Sequence, residues 1–185
     1  MKKLLAIIVL SLCLITPSQA DDIKDFEIEG ISIGDSLLDY TNKSYINDNS
    51  TKWYNDEYHQ LILKDDYQTY QDVVVSFKPK DKKYIIESIS GAIHYGKNIE
   101  KCYKKQNELD KLFSAMFGVK NRRVDILPDN GTKNTSKQIV FELNDGSATI
   151  DCLDWDQIVK PNFRDKILVS LDSSKFQEWL YKNTK

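Results

Sequence analysis

Two cysteines sit on two different kinds of apolar row, and their pairing constrains the fold more than any other feature of the chain. Ile99, Cys102, Tyr103, Gln106, Leu109, Leu112, Phe113, Met116 and Phe117 recur at intervals of three and four, the period of one helix face. Asn98 stands where such a helix is capped, and Gly118 where one stops. Further on, Ile139, Phe141 and Leu143 alternate with polar residues, Asp145-Gly146 offers a two-residue turn, and Ala148, Ile150 and Cys152 alternate back. A turn on Asp145 and Gly146 sets Leu143 opposite Ala148, Phe141 opposite Ile150 and Ile139 opposite Cys152, all on one side. A three-residue turn would set Phe141 against Thr149 and mix the faces. Gln138, Glu142 and Thr149 are then expected on the far side. Cys102 and Cys152 thus meet where a helix lies on a sheet, and a disulfide closing a loop of about 50 residues is expected. The alternative is two buried free thiols.

The redox compartment that this bond needs is indicated at the amino terminus. Met1-Lys2-Lys3 precedes a nearly unbroken apolar run of 12 residues, Leu4 to Ile15, and Thr16-Pro17-Ser18-Gln19-Ala20 ends in a small-x-small pattern. That is the layout of a secretory signal peptide, residues 1–20, with cleavage after Ala20. The third cysteine, Cys13, would leave with it, so that an even pair remains in an oxidising compartment, periplasmic or extracellular. A lipoprotein reading needs a small residue before Cys13, and Leu12 is there. No later stretch reaches the roughly 20 apolar residues of a bilayer span.

Residues 21–185 have a length suited to one domain. Removing Lys2 and Lys3 leaves 26 − 2 = 24 basic against 28 acidic residues, a net charge of −4. Such a chain is a poor match for nucleic acid, which demands clustered Lys and Arg. Its two basic clusters, Lys78–Lys83 and Lys120–Arg123, are expected at solvated turns. Lysine outnumbers arginine 23 to 3, with abundant Asn, Ile and Tyr, as AT-rich codon usage in a bacterium would give.

The remaining pattern fills in an α+β domain. Phe26 to Ile31 alternates as an extended entry, and Ser32 to Tyr40 reads as a turn into a helix capped by Asp35 or Ser36. Residues 41–58 lack periodicity and read as a helix tail and a long loop. Tyr58 to Leu63, Val73 to Phe77 and Tyr84 to Tyr95 read as strands, the last with a bulge or bend at Gly91. Lys166 to Leu171 is a final strand, and Ser174-x-x-Gln177 caps a short terminal helix that buries Phe176, Trp179 and Leu180. The expected architecture is an antiparallel sheet of about six to seven strands with helices gathered on one face and one disulfide. The two halves share a helix-plus-strands plan without a residue-level repeat.

The stretch Phe26 to Tyr40, the segment Ser90-Gly91-Ala92-Ile93 with Asn98 to Gln106, and Cys152-Leu153-Asp154-Trp155 together resemble a family of small exported proteins from marine alphaproteobacteria. That resemblance spans most of the chain after residue 20 and implies no activity, because the family is uncharacterised. The entry from Gly30 to Leu38 and the element order are similar to BamE-type envelope proteins and to β-lactamase-inhibitor-like folds, a likeness that implies a small non-catalytic binder.

Catalytic signatures are sparse. His59 and His94 stand apart from any serine elbow, Gly146-Ser147 lacks the G-x-S-x-G context, and there is no H-E-x-x-H, phosphate loop or C-x-x-C. Asp151, Asp154 and Asp156, near Asn144 and Asp145, match no calcium loop and read as solvated turn and strand-end acids. No cofactor or metal is expected. The strongest recognition candidate is the aromatic stretch Trp53, Tyr54, Tyr58 and His59, read as a loop cluster because Trp and Tyr offer large contact area with few rotamers to freeze. The expected function is an exported, non-catalytic domain binding a protein or envelope component. Its rival is a hydrolase that uses carboxylates assembled in space.

Overall fold

The computed structural model describes residues 22–53, 56–128, 135–155 and 162–183; the expected signal peptide lies outside them. An entry segment carries a 3₁₀ turn at Ile23–Asp25 and the small ladder of β1 (Glu27–Ile28) and β2 (Ile31–Ser32). A second 3₁₀ turn, Leu37–Asp39, is capped by Ser36, whose Oγ accepts from Leu38 N at 3.2 Å. Then come α1 (Lys43–Asn49), β3 (Thr51–Trp53), β4 (Tyr58–Leu63), β5 (Asp72–Phe77) and β6 (Ile86–Gly96). The second half repeats that plan: α2 (Ile99–Phe117), β7 (Arg122–Pro128), β8 (Thr135–Leu143), β9 (Gly146–Asp154) and β10 (Asp165–Ser173), followed by α3 (Ser174–Asn183).

All strands from β3 onward join one antiparallel sheet in the order β3-β4-β5-β6-β10-β9-β8-β7. Eight strands exceed the expected six to seven. The extra ones are its two edges, β3 within the stretch expected to be loop and β7, which begins at Arg122 and so takes Arg122 and Arg123 out of the solvated turn expected there. Edge strands pair on one side only, so their alternation is weak.

One face of the sheet is apolar. Leu61, Leu63, Val73, Val75, Ile89, Ile139, Phe141, Ile150, Cys152, Ile167, Val169 and Leu171 form a single cluster with Ile23, Ile46 of α1 and Cys102 of α2. Phe113 and Phe117 of α2 meet Phe141 with ring centroids 5.8 and 5.6 Å apart. Gln106 sits wholly buried on the same stripe and donates from Nε2 to the carbonyls of Lys137 and Ile150, at 2.6 and 3.0 Å. The Cys102–Cys152 disulfide is present at this interface, with Cα atoms 5.9 Å apart.

Three expectations are corrected. The helices are not all on one face: α1 and α2 cover the apolar face, whereas α3 lies on the opposite one, where Phe176 and Trp179 form a separate cluster with Tyr58. Its cap is Ser173, which accepts from Phe176 N, one residue before the expected Ser174. The β8–β9 turn is Asn144-Asp145, so Leu143 pairs with Gly146, Phe141 with Ala148 and Ile139 with Ile150. This register slips by two residues from the expected one, and a slip of two preserves the faces. Gly146 is needed in the ladder, because a Cβ there would collide with the Asp172 carbonyl. Asp145 meanwhile anchors two other segments, accepting from Ile23 N at its carboxylate and from Ser174 N at its carbonyl, each at 2.9 Å.

Gly91 likewise marks no bulge. It pairs in register with Val73 and Val169, and the irregularity lies between Ser76 and Phe77, opposite Glu87. The glycine is required because the Tyr70 ring lies flat against the strand, 2.5–2.7 Å from where a Cβ would stand. Tyr70 is set there by Glu29, whose carboxylate accepts from the backbone N–H groups of Gln68, Thr69 and Tyr70 at 3.1, 2.7 and 3.1 Å. Burial raises the Glu29 pKa, but these hydrogen bonds outweigh it and hold the group below the ordinary glutamate range.

Gly91→Ala is expected to destabilise the domain by about 1–3 kcal/mol through overpacking. In a Tyr70→Ala background the same substitution should cost clearly less, a coupling that denaturant melts of the four proteins measure. Replacing both Cys102 and Cys152 with Ala should lower stability by about 2–4 kcal/mol, read from chemical unfolding of both forms.

Candidate functional site

On the face opposite α2 the sheet alternates into a polar surface. Along β10 the even positions Lys166, Leu168, Ser170 and Asp172 are half-exposed while their neighbours are buried. Ladder registers extend each into a cross-strand row. Asp172 continues to Ser88 and Ser76 on one side and to Ser147 and Glu142 on the other; Ser170 continues to Ser90 and Val74, and to Thr149 and Val140. Leu168 links Ala92 and Asp72 with Asp151 and Gln138, while Lys166 links His94 with Leu153 and Ser136. Hydroxyl, amide and carboxylate groups therefore occupy mid-sheet positions.

These groups are already bonded to one another. The hydroxyls of Ser90 and Ser170 lie 2.8 Å apart at the seam between the halves. Asp151, only 8 % exposed, accepts from Ser136 Oγ at 2.7 Å and Gln138 Nε2 at 3.1 Å. Burial still raises its pKa, so it is not a solvated strand-end acid. Asp154 closes the same strand half-buried, and Asp156 lies outside the described residues. Burial raises the Asp172 carboxyl to about 6, against the opposing hydrogen bond of Ser88. Burial lowers Lys166, with Asp72 and Asp151 opposing the shift from either side. His94 Nε2 is 2.6 Å from Asp72 Oδ2.

Helix α3 walls one end of this face. Ser173 Oγ donates to Glu87 Oε2 at 2.6 Å, and Gln177 Nε2 bonds Ser147 Oγ. Between α3 and the strands β7 to β10 runs an open groove of about 430 Å³, floored by Thr149, Ser170 and Val140 and flanked by Gln177, Leu180 and Tyr181.

Of the expected aromatic cluster, Tyr58 and His59 are described, and they face opposite sides of the sheet. Tyr58 is 0 % exposed beneath α3, its ring centroid 5.0 Å from Phe176 and 4.7 Å from Trp179, with the Lys78 ammonium 4.9 Å above it. Tyr58 is therefore core packing; α3 supplies the apolar partner that a loop reading left out. His59, the next residue along the strand, points to the other face, edge-on to Phe77 and with Nδ1 3.3 Å from Ser50 Oγ. Burial lowers its pKa. The Trp53 backbone pairs with Tyr58, but its side chain, like all of Tyr54, lies outside the described residues.

Paired-carboxylate hydrolysis uses a spacing of roughly 5–10 Å. Asp151 is four residues along and one strand across from Asp172, about 13 Å away at 3.3 Å per residue. Glu142 is two strands from Asp172, roughly 10 Å and so at the limit of that range, but buried Ser147 stands between them and Gln177 closes over it. Glu142 is moreover ion-paired to Arg123. Among the described residues no group of three or more His, Cys, Asp and Glu gathers as metal ligands, and no helix is long and apolar enough to cross a membrane. No family model, curated protein or solved structure matches this chain.

Because the folded Asp172 pKa lies above its ordinary value, Asp172 favours folding when protonated, an advantage lost as pH rises through about 6. Asp172→Asn, which keeps a partner for Ser88, should match wild type near pH 4 and be the more stable protein above pH 7. Thermal melts at both pH values test this.

Proposed function

We propose that the chain is an exported, non-catalytic binding domain that receives an extended segment of a protein or envelope component along the groove between α3 and β7–β10. The observation that carries this reading is the mutually bonded polar surface of the groove, in which Asp151 and Ser147 are buried. A sheet face that only met water would have no reason to enclose Asp151 between Ser136 and Gln138 or to close Gln177 over buried Ser147, since burying polar groups lowers stability. Groups satisfied among themselves, flanked by the aromatic and aliphatic side chains of α3, suit recognition by shape and hydrogen bonding better than proton transfer. Export is supported by the amino-terminal apolar run and by a disulfide, a bond that persists in oxidising compartments.

The test is capture from envelope extract by the domain spanning residues 21–185. Thr149→Arg, which fills the groove from a half-buried floor position, should abolish capture while leaving the melting temperature within a few degrees. Trp53→Ala, at the end of β3, should leave capture intact. Loss with Trp53→Ala and none with Thr149→Arg would move the site to that strand end and refute the groove.

A further inference from the structure

The two edges of the sheet are unequal. β3 has three residues and carries Lys52, a short, charged end of the kind that blunts edge pairing. β7 has seven, and Val124, Ile126 and Leu127 are 45, 67 and 49 % exposed along it. A long edge with exposed apolar side chains is a template for another strand, and natural sheets rarely leave one uncovered.

The backbone phase of β7 can be read from its neighbour. Glu142 N donates to Asn121 O at 3.1 Å, and the β7–β8 register continues unbroken from there. Hydrogen-bonded pairs alternate in an antiparallel ladder, so Arg123, Asp125 and Leu127 bond inward to β8. Val124 and Ile126 therefore aim their N–H and C=O groups outward, in the plane of the sheet, as does the C=O of Arg122, whose N–H is donated to Val119 O at 3.4 Å. Pro128, which lacks an N–H, follows immediately after this set.

We propose that β7 is the dimerisation edge of this protein and pairs antiparallel with β7 of a second copy, about a two-fold axis at Val124. An antiparallel self-pairing that joins outward groups to outward groups must place Arg122, Val124 or Ile126 opposite one another, which leaves three central registers. Centring between Arg122 and Val124 sets Arg123 against Arg123 of the second copy. Centring between Val124 and Ile126 sets Asp125 against Asp125. Centring on Val124 alone sets each Arg123 opposite the other copy's Asp125 and joins Val124 to Val124. Opposite charges directly across a ladder stabilise it and like charges destabilise it. The strand is thus self-complementary in one register, as an isologous two-fold interface requires. That register uses Arg122 to Ile126 and stops short of Pro128. Arg123 now pairs through Nε with Asp125 of its own strand at 2.8 Å and through Nη1 with Glu142 of β8; in the pairing about Val124 the Nε edge meets the second copy's Asp125 while Nη1 keeps Glu142.

Sedimentation of the disulfide-intact chain of residues 21–185, from micromolar to millimolar concentration, tests the proposal. A reversible monomer–dimer equilibrium is expected. Arg123→Asp and Asp125→Arg should each weaken it about tenfold or more, and the double swap should restore it, because opposite charges again face one another. Val124→Pro removes only an outward N–H and should abolish the dimer while the melting curve shows the monomer folded. A chain that stays monomeric throughout overturns the proposal. So does a dimer indifferent to Val124→Pro, or one in which the double swap is no better than the single reversals.

Discussion

The β6–β10 ladder is the interaction on which everything else is built. It joins two four-stranded meanders by the last strand of each, pairing eight residues from Ser88 opposite Asp172 to Gly96 opposite Asp165. Each meander alone would end in one more open edge, with β6 or β10 unpaired on one side. Joined, they give α2 a surface wide enough to pack on β8, β9, β10 and β6 at once. The disulfide then ties that helix to β9, and Gln106 reaches past the side chains to sheet carbonyls. Both halves are helix-then-meander, and α1 and α2 fall on the same face. That is what an approximate two-fold axis normal to the sheet, near Ser90 and Ser170, would produce. The third helix breaks the symmetry by crossing over, and the groove exists because it does.

How much of this was legible depends on how strongly each segment is committed to one face. The rows Ile139-Phe141-Leu143 and Ala148-Ile150-Cys152 and the stripe from Cys102 to Phe117 were plain, since burial on one side imposes a period. The faces were right even though the β8–β9 register was not, because displacement by two residues is invisible to a period of two. Glycine misled twice. Gly146 and Gly91 looked like turn and bulge signals, yet both sit in straight ladder and are glycine because a carbonyl or a ring approaches the backbone. Such approaches come from residues distant in sequence, so no local pattern announces them.

The candidate site was less legible still. Asp151 was read as a solvated acid, and Ser88, Ser90, Ser170 and Asp172 alternate with apolar residues as the solvent side of any strand does. One available signal lay in α3: Phe176 and Trp179 need an apolar partner, and the apolar face was already covered by α2. Placing α3 on the other face would have turned Tyr58 from a recognition residue into the pocket that receives them, and would have enclosed the neighbouring polar rows.

The two surfaces proposed to carry function use the sheet in different directions, which is why both can be occupied at once. The groove is read by side chains that stand perpendicular to the sheet, whereas β7 offers backbone groups within its plane. They meet at one residue. Arg123 lines the groove and holds Glu142, and it also carries the positive charge that selects the β7 register. Pairing about Val124 would set the open faces of two copies side by side in one continuous sheet, with the paired Arg123 and Asp125 side chains forming the floor between the grooves. An extended ligand longer than one groove could then contact both copies. In that case ligand and dimer would stabilise each other by the same free energy, as linkage requires.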